Sequence, residues 1–168
     1  VQGELGGLTL REAGHPVPDD NSFSATQEAI GLVQNLTAKD SVLLLISGGG
    51  SALFEQPLIT PQELQGITAQ LLKSGADIVE MNTIRKRLSA VKGGRLAQMC
   101  APASVYAVVL SDIIGDPLDM IASGPAWPDN STSADALRIA NKYQLALSPD
   151  AAACLRQETP KTLDNVQS

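Results

Sequence analysis

Aromatic side chains, cysteine and histidine are all scarce in this chain, and each shortage excludes a class of structure or site. Aromatic residues make up 3% of the 168 residues, although 43% are hydrophobic. The core must therefore be aliphatic, which suits a layered α/β fold better than a β-sandwich. The two cysteines, Cys100 and Cys154, and the single histidine show no metal-binding spacing, so no zinc site is predicted. Such isolated cysteines are typical of small buried side chains in a reducing compartment, and we expect a cytoplasmic protein.

An excess of positive charge and long apolar runs are missing as well. Twelve Lys and Arg against 18 Asp and Glu give a net charge of −6, which does not favour binding to nucleic acid. No apolar run approaches the ~20 residues of a membrane-spanning helix, and no signal peptide is visible. The length fits one domain with a substantial core. Because the sequence opens on Val1 rather than Met, we expect a fragment of a longer protein.

A strand followed at once by a glycine run is the most informative stretch. Val42 to Ile46 are five consecutive apolar residues, which predict a fully buried strand of a parallel sheet. Ligands in open α/β sheets bind beyond the carboxyl ends of strands, and glycine backbones there can point successive N–H groups at an anion. The predicted phosphate- or carboxylate-binding loop consists of Ser47, Gly48, Gly49, Gly50 and Ser51. A tight turn that needs glycine only for geometry is an equally weighted alternative, because the run matches neither GxGxxG nor the Walker A pattern.

The second dense stretch is cationic, although the chain as a whole is acidic. Five Lys or Arg residues fall within the eleven positions from Arg85 to Arg95. Such a run is usually a solvated face. Here, however, small polar residues are interleaved with the charges. Lys92 also stands before a glycine pair and a short predicted helix, where a charge and backbone N–H groups can meet one anion. The stretch therefore predicts anion binding, with the solvated face as the alternative.

Capping signals and apolar spacing predict four longer helices. They run from Ser22 or Ser24 to Leu36, from Thr60 to Gly75, from Ser131–Ser133 to Tyr143, and from Ser148 to Gln157. The second is the clearest, because Thr60 can cap it, Pro61 fits the first helical position and Glu63 completes a capping box. A short strand is predicted near Leu8–Glu12. Residues 158–168 are predicted to be a polar linker or tail.

A second buried strand is predicted at Val105–Leu110, and acidic residues follow it. A carboxylate at the carboxyl end of a strand commonly holds Mg²⁺ in phosphoryl-transfer sites, because this ion prefers carboxylate and water oxygens. Asp112 is a candidate for such a ligand, and Asp116 follows four residues later. Helix capping is the alternative role for Asp112. Together with the strand at Val42–Ile46, this strand predicts an α/β fold with a mostly parallel sheet.

Four segments, taken together, resemble the MOFRL-type glycerate 2-kinase family, whose bacterial members were formerly named hydroxypyruvate reductases. They are GHPVPD (Gly14–Asp19), LISGGGSAL (Leu45–Leu53), MNTIRKRLSAVKGGRLA (Met81–Ala97) and SDIIGDPLDMIASGP (Ser111–Pro125), in the order of the family. The resemblance covers most of the chain. It implies that residues 1–157 are part of an N-terminal Rossmann-like domain, a three-layer α/β/α structure, and that the second domain is absent from this chain.

The resemblance also implies an activity and a set of site residues. Members of the family transfer the γ-phosphoryl group of ATP to the 2-hydroxyl of glycerate with a divalent cation, in a cleft between two domains. We therefore expect ATP, glycerate and Mg²⁺ as ligands, and no activity from the fragment alone. The expected catalytic residues are Arg85, Lys86 and Lys92. The expected phosphate or substrate contacts are Ser47, Gly48, Gly49, Gly50, Ser51 and Asn82, and the expected metal ligands are Asp112 and Asp116.

The chain departs from the family pattern at three places. Arg87 stands where histidine is more frequent, Pro117 where a second acidic residue usually follows Asp116, and Ala126-Trp127 where a small or β-branched pair is more typical. The first departure keeps a cationic donor. The second weakens the case for a metal ligand at the position after Asp116.

Two other functions are kept as alternatives. An NAD(P)H-dependent hydroxypyruvate reductase would need a dinucleotide-binding site, but no GxGxxG with a downstream acidic partner is present. His15 with Asp19 is a weak candidate for the proton donor of such an enzyme. A non-catalytic anion-binding domain would keep the glycine loop and tolerate the loss of Asp112. No nucleic-acid or membrane partner is expected, and homo-oligomer formation is left open.

Overall fold

Strands and helices alternate along the described residues, 3–111 and 117–167, of the computed structural model. The strands are β1 (Gly3–Leu5), β2 (Leu8–Leu10), β3 (Ser41–Ile46), β4 (Ser104–Val109) and β5 (Val166–Gln167). The helices are α1 (Asp20–Val33), α2 (Gly50–Leu53), α3 (Pro61–Lys73), α4 (Ile78–Leu88), α5 (Arg95–Met99), α6 (Ser133–Lys142) and α7 (Pro149–Arg156), and a 3₁₀ turn covers Ile121–Ser123. None of these helices is long and apolar enough to cross a membrane.

In this part of the chain the strands form a two-stranded antiparallel hairpin, β1–β2, and a parallel sheet with the order β3-β4-β5. Strands β3 and β4 pair in parallel from Ser41 opposite Ser104 to Ile46 opposite Val109. Because the two strands run in the same direction, the segments that follow them leave the same edge of the sheet. The predicted class, α/β with a parallel sheet, is confirmed.

Helix boundaries follow local capping chemistry. Helix α1 begins earlier than predicted, because the N-cap is Asp19, whose carboxylate accepts a hydrogen bond from the Ser22 N–H at 2.9 Å. It ends at Val33, three residues before the predicted end, since the chain turns out of the helix and Asn35 has a φ of +68°. The predicted starts of α3, α6 and α7 are confirmed, and their N-caps are Thr60, Thr132 and Ser148.

The cationic stretch begins in a helix, α4, which ends at Leu88 and which the sequence pattern did not predict. A capping box starts it: Asp77 accepts from the Glu80 N–H at 2.8 Å, and Glu80 accepts from the Asp77 N–H at 3.2 Å. Polar and charged residues are buried on this helix, namely Asn82, Thr83, Lys86 and Arg87, and they obscure its apolar spacing. Much of the aliphatic core lies around it, from Ile67, Leu71, Ile84, Leu88, Ile139 and Leu155.

The two long strands are covered on one face only, whereas the sequence predicted full burial. The covered side chains belong to one apolar cluster with residues of α1 and α5, and they are Val42, Leu44, Val105 and Ala107. The alternate side chains point outward, and Leu43 and Leu45 are 62% and 74% exposed. This alternation follows from the period of two along a strand, because the helices in the described part of the chain pack against one face of β3 and β4.

Residues 158–167 pack onto the domain instead of forming the predicted polar linker or tail. The buried Thr159 donates a hydrogen bond to Asp129 Oδ2 at 2.7 Å. Leu163 joins the apolar cluster beneath the sheet, and Val166–Gln167 adds strand β5. The polar composition was misleading because this segment is held largely by hydrogen bonds, which the sequence does not reveal.

Candidate functional site

A cavity of about 470 Å³ opens beside the glycine loop. Its walls come from the loop before α1, from α2 and the residues after it, and from α3 and α4. They include His15, Gly49, Ser51, Glu55 and Arg85. The volume lies in the range of small-molecule sites. The glycine loop follows the carboxyl end of β3, which is where open α/β sheets bind ligands.

Two constraints shape the glycine loop. Gly49 has a φ of +84°, which glycine adopts without the strain of a Cβ, and it precedes the short helix α2. A Cβ on Gly50 would lie 2.7 Å from the Cβ of Ala122, so the loop packs directly on the 3₁₀ turn. The glycines thus serve a tight turn and a close contact, which the sequence could not separate from anion binding.

The five loop residues divide between two cavities. Gly49 and Ser51 border the larger cavity. Ser47, Gly48 and Gly50 border a smaller cavity of about 280 Å³, whose other walls are apolar. The structure therefore brings two of the five predicted anion-binding residues to the larger cavity.

A chain of hydrogen bonds ties the glycine loop to α4. Ser123 Oγ donates to Asn82 Oδ1 at 3.0 Å, and Ser51 Oγ lies 3.0 Å from Ser123 Oγ. Because the Ser123 hydroxyl has one proton, Ser51 is the donor in the second contact. Ala122 and Ser123 have φ values of 50° and 60°, a strained conformation that persists where the surroundings hold it. Asn82, predicted to contact substrate, is 2% exposed and anchors this chain.

Among the three cations predicted to be catalytic, Arg85 borders the larger cavity, whereas Lys86 and Lys92 do not. Its guanidinium is partly buried, and no residue among those described accepts a hydrogen bond from it or forms an ion pair with it. Burial lowers the pKa of Arg85, and the nearby charge of Glu55 opposes this. A guanidinium with free N–H donors on a cavity wall can bind a carboxylate or phosphate with two parallel hydrogen bonds.

Lys92 is fully buried behind the cavity wall. Its Nζ donates to the Phe54 carbonyl at 2.7 Å and lies 3.4 Å from Glu55 Oε2. Burial lowers the pKa of Lys92, and the charge of Glu55 opposes this effect. Glu55 is 2% exposed, and its Oε1 has no hydrogen-bond partner in the described part of the chain. Sequence reasoning missed Glu55, although a charge directly after the apolar run Ala52–Phe54 was a signal for it.

Lys86 is 2% exposed and lies in a second buried network. Its Nζ is 3.2 Å from Asp129 Oδ1 and 3.1 Å from Asp119 Oδ2. Burial raises the pKa of Asp129, but the charge of Lys86 and a hydrogen bond from Thr159 outweigh burial and hold that pKa below its usual value. Asp129 was also missed, because its cationic partners, Lys86 and Arg87, are distant in the sequence.

The predicted metal ligands Asp112 and Asp116 lie outside the described residues. Within residues 3–111 and 117–167, no group of three or more His, Cys, Asp or Glu side chains is arranged to hold a metal ion. The described side chains alone therefore do not fit a Mg²⁺ site.

His15 borders the larger cavity, whereas Asp19, its predicted carboxylate partner, caps α1. Hydrogen bonds from the backbone of Gly14 and Ser22 lower the pKa of Asp19. The carboxylate is thus engaged in a structural role, which does not favour a His15–Asp19 proton donor.

Comparison with known proteins gives a family and several relatives. Residues 2–156 match the family described as "Domain of unknown function (DUF4147)". Over 168 residues the chain is 53% identical to a D-glycerate 2-kinase of Thermotoga maritima, covering 99% of this chain and 40% of the relative. Over 148 residues it is 47% identical to a protein of Agrobacterium vitis named putative hydroxypyruvate reductase, covering 87% of this chain and 38% of the relative.

The fold is similar to that of solved structures. The crystal structure of a glycerate kinase from Thermotoga maritima matches with a TM-score of 0.94 and 52% identity, covering 99% of this chain and 41% of that one. A crystal structure of a protein from Pyrococcus horikoshii matches with a TM-score of 0.91 and 41% identity, covering 98% and 40%. The chain thus spans about two fifths of the length of each of these relatives.

Proposed function

Because this chain belongs to the DUF4147 family, the N-terminal domain of the glycerate 2-kinases, we propose that the protein containing it phosphorylates glycerate with ATP. Relatives named glycerate 2-kinase or glycerate kinase, at 46–53% identity, support this activity. The chain spans 40% of the Thermotoga maritima relative. The activity is therefore proposed for a longer protein, and residues 1–168 alone are expected to be inactive.

The observation that carries the proposed site is the Arg85 guanidinium on the wall of the larger cavity, which has no hydrogen-bond or ion-pair partner among residues 3–111 and 117–167. We assign the glycerate carboxylate to Arg85, since the guanidinium fork matches a carboxylate in shape and charge. The backbone at Gly49 is assigned to an oxygen of the same ligand or of the transferred phosphoryl group, whereas Ser51, whose hydroxyl proton goes to Ser123 Oγ, is assigned to holding the glycine loop in place. The buried charge of Glu55 favours the cationic form of Arg85.

The proposed reaction forms a bond between the 2-hydroxyl oxygen of glycerate and the γ-phosphorus of ATP. The bond from that phosphorus to the β,γ-bridging oxygen breaks, ADP leaves, and the hydroxyl proton is released. Negative charge on the transferred group is stabilised by cations held in place beforehand. Lys86 and Lys92, which lie in buried ion pairs, are assigned to fixing α4 and the glycine loop. Bound Mg²⁺ would neutralise phosphate charge, and Asp112 and Asp116 are its proposed ligands.

The setting of this reaction is also proposed. ATP and glycerate are the proposed substrates, and the cytoplasm is the proposed compartment, which the two free cysteines Cys100 and Cys154 support. The absence of a nucleic-acid partner stays a prediction, and homo-oligomer formation stays open. A hydroxypyruvate reductase is the second candidate, because relatives at 45–47% identity carry that name.

The test is a pair of assays on the full-length protein encoded by the gene that contains this sequence. One assay follows 2-phosphoglycerate formation from glycerate, ATP and Mg²⁺. The other follows NADH oxidation with hydroxypyruvate. We expect turnover in the first assay and none in the second, together with calorimetric binding of ATP plus Mg²⁺ and not of NADH. NADH turnover without phosphorylation would replace the kinase by the reductase.

A further inference from the structure

The Glu55 side chain is buried, and its two carboxylate oxygens differ in what they contact. Oε2 lies 3.4 Å from the Nζ of Lys92, which is buried as well. Oε1 is also buried, but no described residue donates a hydrogen bond to it. Buried polar atoms in proteins nearly always have a hydrogen-bond partner. Because Glu55 borders the larger cavity, this oxygen indicates a hydrogen bond that forms only when the site is occupied.

Arg85 is the donor that matches this acceptor. Its guanidinium borders the same cavity and has no hydrogen-bond or ion-pair partner in the described part of the chain. Burial lowers the pKa of Arg85, and the charge of Glu55 opposes this effect, so the two groups already interact in the empty site. A guanidinium carries five N–H donors, of which a carboxylate ligand uses two. Arg85 can therefore bind a ligand and Glu55 at the same time.

The backbone that carries Glu55 is fixed to its neighbours on two sides. The Glu55 N–H donates to the buried Thr26 Oγ1 of α1 at 2.9 Å. Three residues later, the Leu58 N–H donates to the carbonyl of Leu88, the last residue of α4, at 2.8 Å. Arg85 lies three residues before Leu88 on the same helix. The carboxylate and the guanidinium thus belong to segments that are hydrogen-bonded to each other, and the partly exposed Arg85 side chain is the part that can adjust.

We propose that Glu55 is a positioning residue for Arg85: when glycerate binds, Arg85 donates one N–H to Glu55 Oε1 and two others to the glycerate carboxylate. Neighbouring charges then have opposite signs along the series Lys92, Glu55, Arg85 and ligand carboxylate. Hydrogen bonds of active sites are often poorly aligned in the empty enzyme and form fully only with substrate bound. The inference rests on the function proposed above, and it adds a residue that acts on the substrate through Arg85.

The alternative is that Glu55 serves only as the counter-ion of Lys92. That role uses Oε2 and accounts for the burial of the pair, but it leaves Oε1 without a hydrogen bond and does not involve Arg85. The two roles differ in what they predict for the reaction. A counter-ion affects stability whether or not Arg85 is present, whereas a positioning residue affects glycerate binding only when Arg85 is there to be positioned.

A double-mutant cycle on the full-length protein separates these roles, with kcat/KM for glycerate measured well below the Tm of every variant. Glu55→Gln should lower kcat/KM about tenfold or more, mainly by raising KM, because the amide oxygen would turn to Lys92 and the NH2 group, a donor, would face Arg85. In the Arg85→Met background, the same change should lower kcat/KM by less than about twofold. The matched control, Glu28→Gln at an exposed ion pair, should leave kcat/KM within about twofold. The same factor in both backgrounds, or no effect in either, would overturn the proposal.

A crystal structure of the full-length protein with bound glycerate tests the same hydrogen bond without any substitution. We expect an Arg85 nitrogen within about 3.2 Å of Glu55 Oε1. Bound glycerate with every Arg85 nitrogen farther than about 4 Å from Oε1 would contradict the proposal, even if the variants fold poorly. Failure of the proposed function has a different result: the wild-type protein would form no 2-phosphoglycerate, whereas failure of this inference alone leaves that activity intact.

Discussion

Lys92 and Glu55 form an ion pair with both partners buried: Nζ lies 3.4 Å from Oε2, and the side chains are 0% and 3% exposed. The same Nζ donates a hydrogen bond to the carbonyl of Phe54, the residue directly after α2. The pair therefore joins the segment that follows the glycine loop to the segment that leads into α5. Glu55 also borders the larger cavity, so the ion pair links Lys92 to the cavity wall.

Replacing Glu55 by Gln should destabilise the protein by about 3 kcal/mol, because Lys92 would keep its buried position without an opposing charge. Urea unfolding of the full-length protein measures this change. The matched control is Glu28→Gln, which breaks the exposed pair with Arg11 and should cost less than about 1 kcal/mol. Similar losses for both variants would mean that Lys92 is stabilised by its backbone contact alone.

Replacing Arg85 by Met should reduce kcat/KM for glycerate by about 10²-fold or more, because the ligand carboxylate would lose two charge-assisted hydrogen bonds. Stability should change little, since Arg85 forms no ion pair within the described residues. Arg138→Met, which removes an exposed cation paired with Asp135, is the control and should leave kcat/KM within about twofold. Full activity in Arg85→Met would remove Arg85 from the proposed site.

Replacing Lys86 by Met should lower both turnover and stability, whereas the same change at Lys39 should affect neither. Lys86 is buried beside Asp129 and Asp119, so its loss leaves Asp129 with one less opposing charge and costs about 3 kcal/mol. Lys39 is exposed. Steady-state kinetics at a temperature well below Tm separate the two effects. A large fall in kcat with an unchanged Tm would show that Lys86 acts in the chemical step rather than in stabilising the fold.

The Glu80 carboxylate should make the stability of the fold depend on pH in the acid range. Hydrogen bonds from Lys142 and Tyr143 lower the pKa of Glu80 to about 2. Its folded pKa lies below the value of 4.5 for a free glutamate, so the ionised form stabilises the fold above about pH 4.5. That stabilisation is lost as the pH falls from about 4.5 toward 2.

Thermal unfolding of Glu80→Gln across this pH range measures the effect. The variant should be less stable than the parent at pH 7, and the difference should shrink steadily below pH 4.5. Tyr143→Phe, which removes one of the two hydrogen bonds that Glu80 accepts from side chains, should lie between the parent and Glu80→Gln in stability. A difference in Tm that is constant from pH 7 to pH 3 would show that Glu80 acts through packing and not through its charge.

Local chemistry explains which elements the sequence could predict. Helix α3 is defined by the Thr60 cap, the following Pro61 and the left-handed Gly75, all within one segment. The parallel pairing of β3 and β4 likewise follows from two apolar runs. Helix α4 was missed because several of the residues that it buries are polar or charged. Its buried face therefore does not appear in the sequence as apolar residues at helical spacing.

The candidate site was predictable in its types of residue but not in their partners. The sequence shows that Arg85, Lys86 and Lys92 are cations, but not that two of them meet carboxylates 43 and 37 residues away, Asp129 and Glu55. Such pairing depends on tertiary packing, which one sequence does not reveal. Only the folded structure therefore shows that Arg85 is the cation without a partner in the described chain.

The contact between Gly50 and Ala122 makes these two positions genetically interdependent. A methyl group at position 50 would lie 2.7 Å from the methyl group at position 122, so Gly50→Ala alone forces the glycine loop away from the 3₁₀ turn. Ala122→Gly removes the opposing methyl group, and it suits the φ of +50° at that position. The second change should therefore act as a suppressor of the first. During evolution, Ala122→Gly should therefore precede Gly50→Ala, because the first change opens the space that the methyl group of the second would occupy.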